Sequence, residues 1–169
     1  MILCTFLLGE LKMGIDIRLV QEIKRSKEST PVPGAPGHIR GMFNNRGRVT
    51  TLIDLRYRLG WNQQPATTGH KEFEVILKTR SHVRQIDEEL ANTTVFWEDS
   101  VALIVDQLGE VVEVLSQQLR PSPANMEGIS GDFVHAVVER KQDLLVILDI
   151  TKILGFGPEM ESKETNGDT

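Results

Sequence analysis

Val20-Gln21-Glu22-Ile23, Pro31-Val32-Pro33, Ile39-Arg40-Gly41 and Leu52-Ile53-Asp54-Leu55 with Leu59-Gly60 decide the fold, because the same pattern returns later in the same order. The second set is Val112-Glu113-Val114, Pro121-Ser122-Pro123, Ile129-Ser130-Gly131 and Ile147-Leu148-Asp149-Ile150 with Leu154-Gly155. Pro33 to Pro123 and Gly41 to Gly131 are each 90 positions apart, while Asp54 to Asp149 and Gly60 to Gly155 are each 95. Five residues are therefore added to the second copy between its Gly and its Asp. A duplication with its turn residues kept in phase implies two similar small lobes, at about 10–60 and 73–157, rather than one catalytic domain with a lid. Function is then to be sought where the copies differ.

The rest of the chain reads mostly as strand. Phe6-Leu7-Leu8, Met13 to Ile17, Val49 to Ile53, Phe73 to Leu77, Val101 to Val105, Glu110 to Leu115, Phe133 to Val138 and Leu144 to Leu148 are short runs rich in β-branched residues, bounded by Gly, Asp, Asn or Pro. Such short, closely spaced strands predict barrels. Asp54 and Asp149 predict the N-caps of two brief helices, with Leu55/Leu59 and Ile150/Ile153/Leu154 at helical spacing. Gly60 and Gly155 are placed to take the left-handed position at the helix ends. Trp61 to Glu72 reads as a linker, and the polar tail 158–169 is expected to be disordered.

Composition narrows the function classes. With 169 residues, 40% hydrophobic and 25% charged, the chain can bury one core of ordinary size, whereas each half alone would be marginal. The lobes are therefore expected to share an interface. The apolar start Met1 to Leu8 lacks a basic lead-in and stops at Gly9-Glu10, so it reads as an opening strand and not a signal peptide. No run approaches the roughly 20 apolar residues that span a bilayer. Cys4 is the single cysteine, which excludes an internal disulfide and every multi-cysteine zinc pattern and fits a reducing cytosol. A net charge of -5 sets the molecule as a whole against nucleic acid and anionic membrane.

Chemistry is scarce. His38, His70, His82 and His135 lie far apart, with no His or Cys partner at metal-ligand spacing. Carboxylates cluster only at Asp87-Glu88-Glu89, which reads as a solvated face rather than an acid–base pair. Gly155-Phe156-Gly157 and Gly128-Ile129-Ser130-Gly131 read as turns, since neither has the context of a nucleotide loop or a nucleophile elbow. No metal, cofactor or enzymatic activity is predicted.

The informative asymmetry lies between the shared Gly and the shared Asp. The first copy reads Gly41-Met42-Phe43-Asn44-Asn45-Arg46-Gly47-Arg48-Val49, a tight turn that displays an arginine and that the second copy lacks. Around it, Arg40, Arg46, Arg48, Arg56 and Arg58 stand against Asp54 alone. An acidic protein is thus expected to carry one basic patch, read either as solvated surface or as an interface where the planar guanidinium pairs with carboxylates and carbonyls.

These residues, in order and over nearly the whole chain, resemble the CheW family of chemotaxis coupling proteins. The resemblance is carried by Gly14-Ile15-Asp16-Ile17, Val20-Gln21-Glu22-Ile23, Pro31-Val32-Pro33, Ile39-Arg40-Gly41, Asn44-Asn45-Arg46-Gly47 and Ile53-Asp54-Leu55-Arg56, and then by Leu103-Ile104-Val105-Asp106, Val111-Val112-Glu113-Val114, Leu119-Arg120-Pro121 and Leu148-Asp149-Ile150. It implies an all-β fold over 1–157, two SH3-like five-stranded β-barrels sharing a core with a few short helices, and no catalysis. It further implies a cytoplasmic adaptor, monomeric when isolated, that joins chemoreceptor cytoplasmic tips to the regulatory domain of a CheA-type histidine kinase. Val20, Glu22, Gly41, Asn44 and Arg46 match positions where the family engages receptor or kinase; for Val20 and Gly41, core and turn roles stand as alternatives. Coupling in a related chemosensory pathway is an alternative function, and nucleic-acid binding a more distant one for which no aromatic platform is evident.

The chain also departs from the family. Asn45 stands where a Leu is usual and Thr51 where a Pro is common, and a polar insertion at 80–100 replaces a short hairpin connection. Val83, Ile86 and Leu90 fall at helical spacing with Ser81 as a cap, which predicts a short amphipathic helix; a disordered loop is the alternative. Because loop closure costs only about 0.6 kcal/mol per doubling of length, the fold is expected to tolerate replacement of this segment.

Overall fold

A computed structural model describes residues 1–61 and 71–155. Most of the expected linker and the expected disordered tail lie outside these residues, as does His70. In chain order the elements are β1 (Ile2–Leu8), β2 (Leu11–Asp16), β3 (Val20–Arg25), β4 (Ile39–Asn45), β5 (Arg48–Asp54), α1 (Leu55–Arg58), β6 (Phe73–Leu77), α2 (Arg80–Arg84), α3 (Glu88–Thr93), β7 (Ser100–Val105), β8 (Gln107–Glu113), β9 (Asn125–Met126), β10 (Ile129–Ser130), β11 (Val134–Glu139), β12 (Leu144–Leu148) and α4 (Ile150–Leu154).

Two five-stranded sheets account for the fold, ordered β3-β6-β7-β5-β4 and β8-β1-β2-β12-β11. They correspond strand for strand. In each, an edge strand that opens one copy of the repeat pairs with an antiparallel hairpin, whose far strand runs parallel to the last strand of that copy, β7 with β5 and β2 with β12. The hairpins are exchanged in sequence: β1–β2 serves the second copy, and β6–β7 serves the first. The first sheet is thus built from 20–54 and 73–105, the second from 2–16 and 107–148, which corrects the 10–60 and 73–157 division suggested by the repeat. Turn phase along a chain reports which segments are equivalent but not which backbone edges they satisfy.

Each sheet curls until its edges meet. Lys24 on β3 donates to Asn45 Oδ1 on β4 at 2.6 Å, and Glu22 lies 3.5 Å from Arg46 beyond the same strand. In the second sheet Glu110 on β8 meets Arg140, just past β11, at 3.4 Å. Bulges at Val20/Glu22, Ile39/Gly41, Cys4/Phe6 and Val134/Ala136 supply the bending.

Strand alternation then builds three cores. Leu52, Ile76, Ala102 and Ile104 fill the first barrel, and Leu3, Val114, Ala136, Val138, Leu145 and Ile147 fill the second. The opposite faces of the same strands, with Ile53, Val75, Leu77, Val101, Leu103, Val105, Val146 and Leu148, join Phe6, Leu8, Met13 and Ile15 in one cluster between the barrels. The expected shared core is present. Every residue of β7 is buried, because one face looks into its barrel and the other into the shared cluster.

The repeated glycine has the same cause in both copies. A Cβ on Gly41 would stand 2.7 Å from the Thr30 carbonyl, and one on Gly131 would collide with the Pro123 carbonyl. In each copy the Pro-containing segment crosses directly over the strand at that point. The helix caps also repeat, with Asp54 accepting from Tyr57 N at 3.2 Å and Asp149 from Lys152 N at 3.3 Å. Gly60 is left-handed at φ 71, as predicted, but Gly155 is not, since its φ is -63.

The 80–100 segment is neither disordered nor peripheral. It forms α2 and α3, with Val83 and Ala91 fully buried in the shared core, Leu90 packed against it and Ile86 exposed. Thr79 rather than Ser81 precedes α2, and Asp87 does not join a solvated run. It caps α3 by accepting from Leu90 N at 2.9 Å, while Arg18 donates to its other oxygen at 2.5 Å. Beyond α3, Trp97 Nε1 donates to the Leu154 carbonyl at 2.9 Å and Val95 N to Thr151 Oγ1 at 3.1 Å. A segment emerging from the first barrel is thereby tied to α4 of the second. These contacts run against the expectation that the fold tolerates its replacement.

Two outcomes follow in denaturant unfolding. Gly41→Ala and Gly131→Ala are each expected to lower stability by about 1–3 kcal/mol through overpacking; unchanged midpoints would show that the crossing segments yield freely. Val83→Ala is expected to cost about 1–3 kcal/mol as a core truncation, and exchange of 81–98 for a short Gly-containing turn should broaden or abolish the cooperative transition. A wild-type transition in that variant would place the segment outside the core.

Candidate functional site

The turn between β4 and β5 consists of Arg46 and Gly47, closed by the Asn45–Arg48 pair. Both turn residues have positive φ, 54 and 82, as a two-residue type I′ hairpin demands. Asn44 Oδ1 accepts from Gly47 N at 2.8 Å and braces the turn from the preceding strand. Gly suits its position. Arg46 does not: a left-handed conformation costs an ordinary L-residue about 1–2 kcal/mol, and Asn or Gly would cost less.

Arg46 gains little in return within the fold. Its side chain is 80% exposed, and among the described residues its one ion pair is a long 3.5 Å contact to Glu22, which is 22% exposed on the neighbouring edge strand. The two residues and Asn44 therefore come together on one rim of the first barrel. Val20 sits on the other side of the β3 bulge, paired with Leu77 and half-buried against the shared core. Gly41 lies underneath, its place explained by the Ser29–Thr30 crossing.

The second copy also has a turn arginine, contrary to expectation. Its longer turn is closed by Arg140 N donating to the Asp143 carbonyl at 2.9 Å. Arg140, however, is held by Asp143 and Glu110 at 3.0 and 3.4 Å and is 30% exposed. The asymmetry is one of availability and not of residue type.

The basic patch is smaller than the local count implied. Arg40 pairs with Glu72 and with Asp54 at 2.7 Å. Arg56 pairs with Asp106 and stacks 5.0 Å from the Trp61 ring, leaving its side chain 12% exposed. Arg58 donates to the Ile153 and Lys152 carbonyls at 2.8 and 3.1 Å and stacks on Phe133, fastening α1 of the first barrel to α4 of the second. Arg46 and Arg48 remain exposed. Glu72 and Asp106, which neutralise Arg40 and Arg56, are distant in sequence from the turn.

A cleft of about 140 Å³ opens beside Arg46, lined by Glu22, Arg48, Leu77, Thr79 and His82 among others. His82 belongs to the 80–100 segment and Thr79 immediately precedes it, and no spacing signal in the sequence connects them to the turn. A larger groove of about 350 Å³ lies at the junction of the barrels, where Leu90 and Thr93 of α3 face Leu19, Ile147 and Ile150. Among the described residues no group of three or more His, Cys, Asp or Glu is placed to hold a metal ion, and no helix is long and apolar enough to cross a membrane. Burial pushes the Cys4 thiol up, away from the reactive thiolate.

The model of the CheW-like domain matches residues 3–156. Chemotaxis protein CheW of Treponema pallidum is 30% identical over 153 residues, spanning 89% of this chain and 80% of that protein. Chemotaxis protein CheW of Klebsiella aerogenes is 26% identical over 149 residues, spanning 88% and 78%. The crystal structure of the scaffolding protein TtCheW from Thermoanaerobacter tengcongensis has the same fold, with a TM-score of 0.71 at 22% identity over 90% of this chain and 86% of that one. With a family model over nearly its whole length and two barrels closed around one core, this chain belongs to the CheW-like domain family of chemotaxis coupling adaptors.

Proposed function

We propose that the chain is a non-catalytic cytoplasmic adaptor that joins the tips of chemoreceptors to the regulatory domain of a CheA-type histidine kinase. The observation that carries this reading is Arg46, a largely exposed arginine held in a left-handed turn where the fold itself would favour another residue. Strain kept at an exposed polar residue points to a role outside the fold. Glu22 and Asn44 orient it, Val20 continues the rim toward the barrel junction, and Gly41 supports it through the backbone. The inter-barrel groove, apolar at Leu19, Leu90, Ile147 and Ile150, offers a seat of the kind that accepts a helical partner. Nucleic-acid binding loses its main support, because Arg40, Arg56 and Arg58 are engaged within the protein.

Arg46→Ala should change unfolding stability by no more than about 0.5 kcal/mol, as for a surface substitution. Arg46→Asn should raise it by up to about 0.5 kcal/mol by easing the turn. Both should weaken binding to a receptor tip or a kinase regulatory domain by about 1–3 kcal/mol. Titration of each variant against each partner checks this, and unchanged affinity for both partners would overturn the assignment. The purified chain should turn over no ATP, and it should alter kinase autophosphorylation only when receptor and kinase are both present. ATP turnover abolished by a point change in this chain would contradict the adaptor reading.

A further inference from the structure

The two barrels differ most in the connection of their exchanged hairpins. β1 and β2 are joined by Gly9 and Glu10 alone, whereas β6 and β7 are joined by residues 78–99. The shared-core contacts of Val83 and Ala91 explain why the longer connection is ordered, but not why its first turn carries Arg80, His82 and Arg84 with no acidic residue among 78–84. His82 lines the same cleft as Arg46, Arg48 and Glu22. Its Nδ1 is 3.2 Å from Thr79 Oγ1, which leaves Nε2 as the ring's remaining polar atom. His82, Arg84, Arg48 and Arg46 are all exposed, and among the described residues Arg48 and Arg84 have no ion-pair partner. Arg80 is turned to another use, stacked 5.4 Å from the Phe96 ring. In a chain of net charge -5, a turn and a helical turn from separate parts of the sequence thus bring the Arg46 and Arg48 guanidiniums and the His82 imidazole to one cleft, with Glu22 its carboxylate, while Arg84 is exposed two residues further along the helix.

Resting on the receptor-coupling reading above, we infer that α2 is a second contact for the receptor tip, in which His82 at the cleft beside Arg46, with the exposed Arg84 on the same helix, recognises acidic side chains on the receptor's helical hairpin. Charge complementarity selects the partner: the cleft presents guanidinium and imidazole groups, and the matching surface is carboxylate. The helix is seated by Val83 in the core, so these contacts are preorganised and little ordering entropy is lost on binding. Residues of this kind set on-rate and discrimination among receptors more than total affinity.

The test uses the full chain, with the soluble cytoplasmic fragment of a chemoreceptor from the same cell and the kinase regulatory domain as separate probes. Wild type, Arg46→Ala, the double variant His82→Ala with Arg84→Ala, and Arg84→Glu are titrated at low and moderate salt, after thermal unfolding shows that each is folded. Exposed pairs of this type contribute roughly two- to fivefold each. The double variant is therefore expected to bind the receptor fragment roughly fivefold to twentyfold more weakly at low salt, with a flatter salt dependence, and to bind the kinase domain as wild type does. Arg84→Glu should also weaken receptor binding. Weakening by Arg46→Ala with both α2 variants unaffected would overturn this inference alone, and so would an equal loss toward the kinase domain. Failure of the wild type to bind the receptor fragment would overturn the coupling reading and the inference together. Tighter binding to a random-sequence DNA duplex than to the fragment, lost in the double variant, would assign the patch to nucleic acid and overturn it as well.

Discussion

The shared cluster between the barrels is the constraint on which the rest depends. A five-stranded sheet curled into a barrel has one inner face, and in most small barrels the outer face meets water. Here the outer faces of β1, β6, β7 and β12 carry Phe6, Val75, Leu103, Val105 and Val146, all nearly inaccessible to solvent. Each such side chain contributes about 1.5–3 kcal/mol when buried, whereas an exposed ion pair contributes about 0–1. The cluster, and not the network of Arg56, Arg58 and Arg18 around it, therefore holds the barrels together. Those arginines orient one barrel on the other.

Exchange of the two hairpins follows from the same constraint. A copy of the repeat alone supplies an edge strand, a second edge strand and its neighbour, which leaves backbone donors and acceptors unpaired in the middle of the sheet. The hairpin that fills the gap brings an apolar outer face with it, as Val75 and Leu77 do on β6. Because β1–β2 comes before both copies and β6–β7 falls between them, the second barrel is split in sequence into 2–16 and 107–148, with the whole first barrel between the two pieces. Truncating either half therefore removes strands from both sheets.

Strand alternation, the Asp caps at Asp54 and Asp149 and the paired glycines made the two-barrel fold legible from the sequence, because each is a local signal with one physical cause. What was not legible was non-local. The partner of β5 is β7, whose start at Ser100 lies far along the chain, and no period announces that choice. The arginine patch was overcounted for the same reason, since Asp106 and Glu72 neutralise Arg56 and Arg40 from outside the local window. In the 80–100 segment the helical spacing of Val83, Ile86 and Leu90 was visible, but the burial of Val83 and Ala91 in the shared core was not, because a single buried side chain on each of two short helices does not mark which surface it meets. Of the five candidate contact residues, Glu22, Asn44 and Arg46 meet on one rim, whereas Gly41 lies where the Ser29–Thr30 segment crosses the strand.

The rim itself shows how such a site differs from its surroundings. Everywhere else in the turn region the residue matches the local demand: Gly47 takes its positive φ without a side-chain penalty, and Asn44 braces the turn with its amide oxygen. Arg46 alone goes against it, and the equivalent Arg140 in the second barrel is tied down by Asp143 and Glu110. A fold that can satisfy a turn arginine in one copy and leaves it exposed in the other has no structural use for the exposed one. The available charge lies on the rim that the β6–β7 connection also lines, while the second barrel, with its two-residue connection, presents no counterpart. Two departures from the internal symmetry, a largely exposed arginine and an ordered insertion, thus converge on a single cleft.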